Sequence, residues 1–582
     1  MTKHPSSGAN SREQIEAELL DRARDAFSLQ QQGDFATAET IYREILAVDP
    51  DHFYATHFLG IIAAQTGHFE SAAELISRAI ALNPDDVDAH SNLGNVLQDL
   101  GRLDEALLSY ERAIALNAHH APSYSNRANA LRKLERFEEA LIGYDQAIAL
   151  QAGYVDAWSN RGAVLHDLGR LEDAMTSFDT AIALAPGFAE AWSHRSGPLR
   201  ELQRFDEALA SIDRAIALRP DFVDAWYNRG VVLQEMGHID EAIDSFDHAI
   251  SLNPQLVDPR LSKAYVHLLI GEFDKGWPDY ELRWLKPEAT PPARSFGEPP
   301  WRGEQDLAGR SILIHDEQGL GDMIQFCRYI AKLNERGAHV LFAPRPSLVA
   351  LMRSLGELNA CEIVDVTDGA LDFDFHCPLL SLPLAFGTSL ATIPSQPSYL
   401  DAEPARVARW AAEIGPDGFK IGICWQGRAG KVDVGRSFPL SALLHIGQLP
   451  GVRLISLHRG SGEAQLFDLP DGMAVESLGD DFDAGPDAFL DTAAVIRHCD
   501  LVITSDTSIA HLAGALGAPV WIALKRGCDW RWMADRPDSP WYPSARLFRQ
   551  SVAGDWSDVF TGIEQALKTV LQERSRQDRS NT

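Results

Sequence analysis

The stretch Trp158-Ser-Asn-Arg-Gly162 recurs with variations at intervals of 34 residues through the first half of the chain. Small residues hold one register of this period: Ala38, Ala72, Ala106, Ala140, Ala174, Ala208 and Ala242, with Gly276 in the eighth place. Proline follows several of the units, at Pro50, Pro84, Pro186, Pro220 and Pro254. A fixed period of this length is typical of stacked helical repeats. We predict two antiparallel helices per unit, with a glycine ending the first helix and the alanine letting the second pack closely.

An aromatic position also recurs in the repeats, and it is occupied by Tyr124, Trp158, Trp192 and Trp226. The whole pattern resembles the tetratricopeptide repeat (TPR). The resemblance covers about residues 16–285 and about eight repeats, with more degenerate units at both ends, as capping units tend to be. It implies an α-helical superhelix in which the tryptophans belong to the repeat core. Residues 1–15 precede the pattern, and we expect them to be disordered.

Asparagines occupy one position of the first helices, which line the concave face of such superhelices: Asn92, Asn126, Asn160 and Asn228. A ladder of side-chain amides could hydrogen-bond the backbone of an extended peptide without reading its side chains. The same asparagines could instead join one repeat to the next or lie in solvent. The sequence leaves these interpretations open, and we take the four residues as candidate peptide or acceptor contacts.

The pattern changes after a proline-rich linker at residues 286–310. Short apolar strands then alternate with helices in two rounds, over residues 311–400 and 420–570, as in a parallel α/β sheet. Residues 401–419 join the two rounds, and residues 571–582 form a tail. We predict two Rossmann-like halves that face a cleft, with ligands bound at the carboxyl ends of the strands.

The stretch from Asp500 to Trp521 predicts a strand that ends at Ser505 and a helix that follows at once. Asp506 and Thr507 are suitable helix caps, and small residues in the helix permit close packing on the sheet. The free N–H groups and the dipole at the start of this helix could hold a diphosphate. An ordinary capped helix of an α/β domain explains the spacing equally well.

This stretch resembles the donor-site motif of family nine glycosyltransferases, the bacterial heptosyltransferases. Their motif is Asp-Thr-Gly-x-x-His-Leu, which Asp506, Thr507, His511 and Leu512 match, while Ser508 replaces the glycine. The resemblance implies a GT-B fold, that is, two Rossmann-like α/β halves facing a cleft. It also implies that Asp506, Thr507, Ser508 and His511 bind the nucleotide-sugar donor.

The segment Gln318-Gly-Leu-Gly-Asp-Met-Ile-Gln-Phe326 is similar to the Leu-Gly-Asp loop of the same family. The aspartate of that loop is the proposed general base, so the resemblance assigns this role to Asp322. A carboxylate within hydrogen-bond reach is suited to deprotonate an acceptor hydroxyl. The simpler interpretation is that Asp322 only caps its helix.

A third loop, from Trp425 to Ser437, resembles the basic donor loop of the family. Arg436 precedes the Phe438-Pro439 pair and corresponds to the family's basic position, so we expect it to neutralise a diphosphate. Arg428 and Lys431 are further candidates, although a basic loop in an acidic protein is also explained by solvation.

Weaker candidates are His458 and Arg459 at a strand end, and Trp530, Arg531 and Trp532, which could cover the cleft. The three loops selected above contain no Asp-x-Asp metal signature. We therefore predict a metal-independent mechanism that uses positive side chains and a helix terminus, with the nucleotide-sugar as substrate and no cofactor.

Composition narrows the possible partners. The chain has 83 acidic and 52 basic residues, and the net charge of −31 would repel a phosphate backbone and an anionic bilayer. We expect no nucleic-acid partner, no membrane insertion and a cytoplasmic location, because no apolar run approaches the length of a membrane span. The six cysteines show no paired spacing, and we expect reduced thiols, at least four of them buried.

Together these features predict transfer of a sugar from a nucleotide-sugar donor to a hydroxyl group. The joining of repeats to a GT-B domain also resembles the architecture of protein O-linked N-acetylglucosamine transferases, which favours an acceptor protein recruited by the repeats. One alternative is a non-catalytic scaffold with a degenerate glycosyltransferase domain. Another is an enzyme with a glycan or lipid-linked acceptor, which the acidic surface disfavours.

Overall fold

The computed structural model describes residues 7–286, 296–359, 361–365, 371–428 and 435–581. The chain divides into two compact units, an N-terminal unit (Met1–Pro220) and a C-terminal unit (Asp221–Thr582). Every helix of the described residues is too short or too polar to cross a bilayer. All six cysteines are free thiols and four of them are buried, as predicted.

The N-terminal unit consists of paired helices that follow the predicted period. They are α1 Ser7–Gln31, α2 Phe35–Val48, α3 Phe53–Gln65, α4 Phe69–Leu82, α5 Val87–Asp99, α6 Leu103–Leu116, α7 Ala121–Lys133, α8 Phe137–Leu150, α9 Val155–Asp167, α10 Leu171–Leu184, α11 Ala189–Glu201 and α12 Phe205–Leu218. The prediction of disorder over residues 1–15 is wrong from Ser7 onward, because helix α1 begins there. Residues 1–6 lie outside the described part of the chain.

The turn between the two helices of a pair explains the recurring glycines. Gly33, Gly67 and Gly101 have φ values of 84°, 80° and 74°, in the left-handed region that glycine adopts without strain. Glu135 and Gln203 replace glycine in two repeats, yet they adopt the same conformation, with φ of 59° and 58°. The repeat therefore imposes the left-handed turn on them, at a cost of about 1–2 kcal/mol each.

Arginines on the first helices tie neighbouring helices together. Arg161 on α9 donates to Asp145 on α8 and to Ser177 on α10, each at 2.7 Å. Arg195 on α11 makes the equivalent bonds to Asp179 and Ser211 at 2.7 and 2.8 Å. Because each guanidinium has partners on both sides, its partly buried charge is compensated within the array.

The C-terminal unit begins with the last four helices of the repeat pattern. They are α13 Val223–Met236, α14 Ile239–Leu252, α15 Val257–Leu269 and α16 Phe273–Tyr280, followed by a 3₁₀ turn at Glu281–Leu285. With the N-terminal unit they make eight helix pairs among the described residues, which agrees with the predicted number of repeats. The packing boundary at residue 220 nevertheless differs from the end of the repeat pattern near residue 285.

Aromatic packing explains why α16 belongs to the C-terminal unit. Trp277 is 2% exposed, and its ring centroid lies 5.4 Å from that of Trp530. Its indole N–H donates to the carbonyl oxygen of Thr388 at 3.0 Å. Nearby, Arg283 is paired with the buried carboxylate of Glu317 through two bonds of 2.9 and 3.0 Å. These contacts fix the end of the repeats to the α/β part of the chain.

The first α/β half forms a four-stranded parallel sheet with the order β3-β2-β1-β4. Its strands are β1 Ser311–His315, β2 His339–Ala343, β3 Glu362–Ile363 and β4 Phe375–Pro378. Its helices are α17 Leu320–Phe326, α18 Tyr329–Glu335, α19 Val349–Asn359 and α20 Leu382–Ala385. All four strands lie within residues 311–400.

The second half forms a six-stranded parallel sheet with the order β10-β9-β8-β5-β6-β7. Its strands are β5 Phe419–Cys424, β6 Val452–Ser456, β7 Val475–Glu476, β8 Leu501–Ser505, β9 Val520–Leu524 and β10 Ala545–Arg549. Its helices are α21 Pro404–Ile414, α22 Leu444–Gly447, α23 Leu490–Ile496, α24 Ser508–Ala515 and α25 Ser557–Asn581. Helix α25 takes in most of the predicted tail. The predicted fold class, a TPR array followed by parallel α/β halves, is confirmed.

One apolar core connects the parts of the C-terminal unit. It includes Trp277 of α16, Ile314 of β1, Phe326 of α17 and Leu512 of α24. A second core fills the other face of the six-stranded sheet, where α25 packs. The loops that follow β1 and β8 are therefore held by a shared core.

Replacing Trp277 with alanine should destabilise the C-terminal unit by about 3–5 kcal/mol, because a large ring is lost from a packed core. Denaturant unfolding of the full chain, followed by near-UV circular dichroism, measures this change. Trp192→Ala is the matched control, since Trp192 is only half-buried in the N-terminal unit. Equal losses of stability in the two variants would contradict the packing described for Trp277.

Candidate functional site

The loop after β1 places Asp322 in the first turn of α17. One carboxylate oxygen, Oδ2, accepts the backbone N–H of Gly319 at 2.9 Å. Asp322 is thus a helix cap, as the simpler interpretation of the sequence proposed. The other oxygen, Oδ1, pairs with Arg531 of the second half at 2.5 Å. Asp322 therefore has a second contact that capping does not explain.

Gly321 allows α17 to approach α24 closely. A Cβ atom added at Gly321 would lie 2.9 Å from Cδ2 of His511 and 3.3 Å from Oγ of Ser508. Both distances are shorter than ordinary van der Waals contact, so only glycine fits without movement. The structure therefore brings the Gln318–Phe326 segment against the start of α24, two stretches that the sequence analysis selected separately.

Asp506, at the end of β8, is the centre of a buried hydrogen-bond group. Its Oδ1 accepts the indole N–H of Trp532 at 2.8 Å, and its Oδ2 lies 3.0 Å from Nη2 of Arg436. The same Nη2 donates to the backbone carbonyl of Asp506 at 2.7 Å. Burial raises the pKa of Asp506, and the charge of Arg436 acts against that rise. Asp506 and Arg436, both predicted donor contacts, are direct partners.

His511 lies one turn into α24 and is 5% exposed. Its Nδ1 is 2.9 Å from the hydroxyl of Tyr542, and its ring stacks on Trp532 with centroids 5.0 Å apart. Burial, followed by the charge of Arg531, lowers the pKa of His511 to about 3. The imidazole is therefore neutral near pH 7 and contributes no positive charge for a phosphate.

Thr507 and Ser508 lie at the N-terminal end of α24. Thr507 is the residue before the helix, and its hydroxyl is 3.0 Å from that of Thr504. Ser508 is the first helical residue and faces Gly321. Both predicted donor contacts therefore lie at the helix terminus, where the N–H groups and the helix dipole favour an anion.

Arg531 is the principal residue that the sequence analysis undervalued. It is 8% exposed and pairs with Asp322 at 2.5 Å and with Asp529 at 2.9 Å. Its guanidinium carbon lies 4.4 Å from the ring centroid of Trp530, which packs on Trp277. The sequence signal was the Asp-Trp-Arg-Trp run after β9, but the partner of Arg531 is 209 residues away.

The remaining candidates have local partners. His458 stacks on Trp425 with centroids 4.2 Å apart, and its Nε2 is 2.6 Å from the carbonyl oxygen of Ser461. Arg459 donates to the carbonyl oxygen of Phe482 at 2.6 and 2.8 Å. Arg428 is exposed, and Lys431 lies outside the described residues.

Two of the four candidate peptide-binding asparagines join neighbouring repeats. Asn92 is 3.2 Å from Nε2 of His57 on α3, and Asn160 donates to Oδ1 of Asn129 on α7 at 3.2 Å. Asn126 is half-buried on α7, and Asn228 lies on α13 of the C-terminal unit. The inter-repeat interpretation accounts for Asn92 and Asn160, and peptide binding stays a prediction.

Comparison with known families finds tetratricopeptide repeats in the first part of the chain and a glycosyltransferase-like stretch in the second. Residues 20–86, 59–121 and 125–187 match one tetratricopeptide repeat model, and residues 199–266 match another. Residues 484–524 match the model of glycosyltransferase family 9 (heptosyltransferase). The chain is a TPR protein with a C-terminal domain like the family 9 glycosyltransferases.

Among curated proteins, FlbA of Caulobacter vibrioides is 27% identical to this TPR protein over 324 residues, which are 52% of this chain and 53% of FlbA. The chain thus spans about half the length of the curated relative it matches.

Among solved structures, YrrB, described as a TPR protein with an unusual peptide-binding site, is 26% identical with a TM-score of 0.26. The match covers 32% of this chain and 96% of YrrB. A TPR protein from Parabacteroides merdae is 17% identical with a TM-score of 0.37, covering 43% of this chain and 98% of that one.

The family 9 match contains only part of the candidate site. It includes Asp506, Thr507, Ser508 and His511, which lie between residues 484 and 524. It supports a glycosyltransferase-like domain in this TPR protein. The match does not contain Asp322, Arg436 or Arg531, and the roles of all the site residues stay predictions.

Replacing Gly321 with alanine should force α17 away from α24 and destabilise the C-terminal unit by about 1–3 kcal/mol, since overpacking a close contact costs this much. Thermal unfolding of the two proteins measures the difference. Gly297→Ala is the matched control, because an added Cβ at Gly297 meets no atom within 4 Å. A Gly321 variant as stable as the Gly297 variant would show that the close approach is not required.

Proposed function

We propose that the C-terminal unit transfers a sugar from a nucleotide-sugar donor to a hydroxyl group of an acceptor. The observation that carries this proposal is the meeting of two loops from different halves. Asp322 of the first half and Arg531 of the second lie in direct contact beside the start of α24. A carboxylate, guanidinium groups and a helix terminus at the carboxyl ends of parallel strands suit the transfer of a sugar from a diphosphate.

In the proposed reaction the donor diphosphate lies at the start of α24. The backbone N–H groups at Thr507 and Ser508 and the guanidinium of Arg436 stabilise the negative charge that develops on the leaving group. The bond between the anomeric carbon and the diphosphate oxygen breaks, and the acceptor oxygen bonds to that carbon. The nucleoside diphosphate leaves with the electron pair.

Asp322 is the proposed general base of this reaction. It accepts the proton of the acceptor hydroxyl as the new bond forms. Its side chain is 17% exposed, and the N–H of Gly319 fixes the orientation of the carboxylate. The pairing with Arg531 sets a positive charge beside this carboxylate.

The repeats support the binding of a protein or peptide partner, since stacked repeats present extended concave surfaces. We propose that this partner is the acceptor and that the hydroxyl belongs to one of its side chains. The attachment of α15 and α16 to the α/β halves supports this assignment, because the end of the array is part of the same compact unit as the site.

One observation favours a non-catalytic scaffold instead. Both oxygens of Asp322 are occupied, and Arg436 is paired with Asp506. A domain that has lost its reaction would keep such pairs for stability alone. Donor binding separates the two functions, because a scaffold needs no nucleotide-sugar.

Calorimetric titration with ADP-, GDP-, UDP- and TDP-sugars should show saturable binding of one nucleotide family. Arg436→Ala should weaken that binding by about 10- to 100-fold, because a hydrogen bond from a charged group contributes about 1.5–3 kcal/mol. Arg409→Ala is the matched control, since Arg409 is an exposed arginine of α21 paired with Glu413, and it should leave the affinity within about twofold of the wild-type value. Absence of binding across the panel by folded protein would favour the scaffold.

A further inference from the structure

The cleft holds a compact group of charges that links the two halves. Two guanidinium groups, Arg436 and Arg531, contact three carboxylates, Asp322, Asp506 and Asp529. Arg436 pairs with Asp506, and Arg531 lies between Asp322 and Asp529. We call these five residues the cleft cluster. Each of its cations already has a carboxylate partner, so an anion that enters the cluster meets a carboxylate beside each cation.

Two more arginines lie behind the cluster, but they are engaged with the backbone. Arg328 donates to carbonyl oxygens of Pro394 and Trp541, and Arg549 donates to those of Trp532 and Met533. Their guanidinium groups stabilise the fold around the site.

Arg531 is the cation best placed to change partner. Its pairing with Asp529 uses Nη1 and its pairing with Asp322 uses Nη2, so the loss of one leaves the other intact. Its Nε–H is buried without a hydrogen-bond partner in the described structure. Burial acts against its charge, but Asp322 and Asp529 outweigh burial and raise its pKa well above the ordinary value. Arg531 therefore stays charged whichever partner it has.

Asp322, in turn, is able to release Arg531. Its side chain is 17% exposed, compared with 9% for Asp506, so it regains more contact with water when unpaired. It also keeps the hydrogen bond from Gly319. An exchange at this pair therefore leaves no charge buried and alone, whereas removing Arg436 from the more buried Asp506 would do so.

The pair lies beside the proposed diphosphate position. Asp322 follows Gly321, which packs directly on Ser508 and His511 of α24. Trp532, next to Arg531, stacks on His511 and donates to Asp506. Among charged groups, Arg531 contributes most to the lowered pKa of His511, which places its charge close to α24.

We propose that Arg531 is a further donor-binding residue, and that Asp322 competes with the donor diphosphate for it. This inference rests on the function proposed above. In the structure Arg531 holds Asp322. The bound diphosphate takes over Nη2 of Arg531, and Asp322 is released to accept the proton of the acceptor hydroxyl. Donor binding thus frees the base. Without a donor, the carboxylate of Asp322 stays paired with Arg531.

Two substitutions test the competition, because they remove the two partners of one ion pair. Asp322→Asn keeps the size of the side chain and an oxygen for Gly319 but removes the competing charge, so nucleoside diphosphate should bind about tenfold more tightly. Arg531→Gln removes the cation, and binding should weaken about tenfold or more. Glu335→Gln, which removes an exposed carboxylate of α18, is the control and should leave the affinity unchanged.

The titrations use the nucleoside diphosphate of the base selected by the sugar panel, with inorganic pyrophosphate as a second probe. Thermal unfolding without ligand confirms that each variant is folded. If Arg531→Gln does not fold, Arg531→Lys replaces it, since lysine keeps the charge but cannot bridge two acceptors in the same way. It should also weaken binding.

The outcomes separate the inference from the proposed function. Tighter binding by Asp322→Asn together with weaker binding by the Arg531 variant supports competition. Weaker binding by both variants would show that the pair only holds the halves together, and unchanged binding by Asp322→Asn would show that Asp322 does not compete. Either result overturns the inference while leaving the proposed donor site intact. Absence of binding by the wild type and by Asp322→Asn would overturn both.

Discussion

Gly321 lets helix α17 lie so close to α24 that an added Cβ would be 2.9 Å from His511. The rest of the site depends on this approach. This approach brings Asp322, which caps α17, into contact with Arg531 of the second half. Arg531 in turn is held by Asp529 and by the ring of Trp530. A single position without a side chain thus allows two loops, distant in sequence, to form one charged group at the ends of two parallel sheets.

The loop that contains Trp530 and Arg531 also connects the site to the last repeats. Trp530 packs on Trp277 of α16, and Arg283 just beyond that helix pairs with the buried Glu317 that follows β1. These buried apolar and ionic contacts are typical of a protein interior. A flexible linker between domains makes few such contacts. The final helices of the array therefore support the walls of the cleft. Their role in the proposed reaction is to keep Arg531 and the Gln318–Phe326 loop in position.

Much of this arrangement could be predicted from the sequence, because periodicity and local motifs carry strong signals. The repeats follow from their period, and the selection of Asp322, Asp506 and Ser508 follows from the resemblance of two loops to family nine motifs. The short strands β4, β7 and β10 lack a long apolar run, so nothing local marked them. The pair of Asp322 with Arg531 spans 209 residues, and only the packing of α17 on α24 creates it. The sequence also left open whether Asn92 and Asn160 bind a peptide or join repeats. The structure places each against a neighbouring repeat, and peptide binding stays a prediction.

A crystal structure of the full chain with the nucleoside diphosphate bound tests the central claim most directly, since that claim is a placement of charges. We expect phosphate oxygens at the start of α24, within hydrogen-bond distance of Arg436 and Arg531, and an Asp322 carboxylate separated from Arg531. A nucleotide bound elsewhere on the molecule would contradict the donor site. A nucleotide at α24 with the Asp322–Arg531 pair unchanged would contradict the exchange of partners.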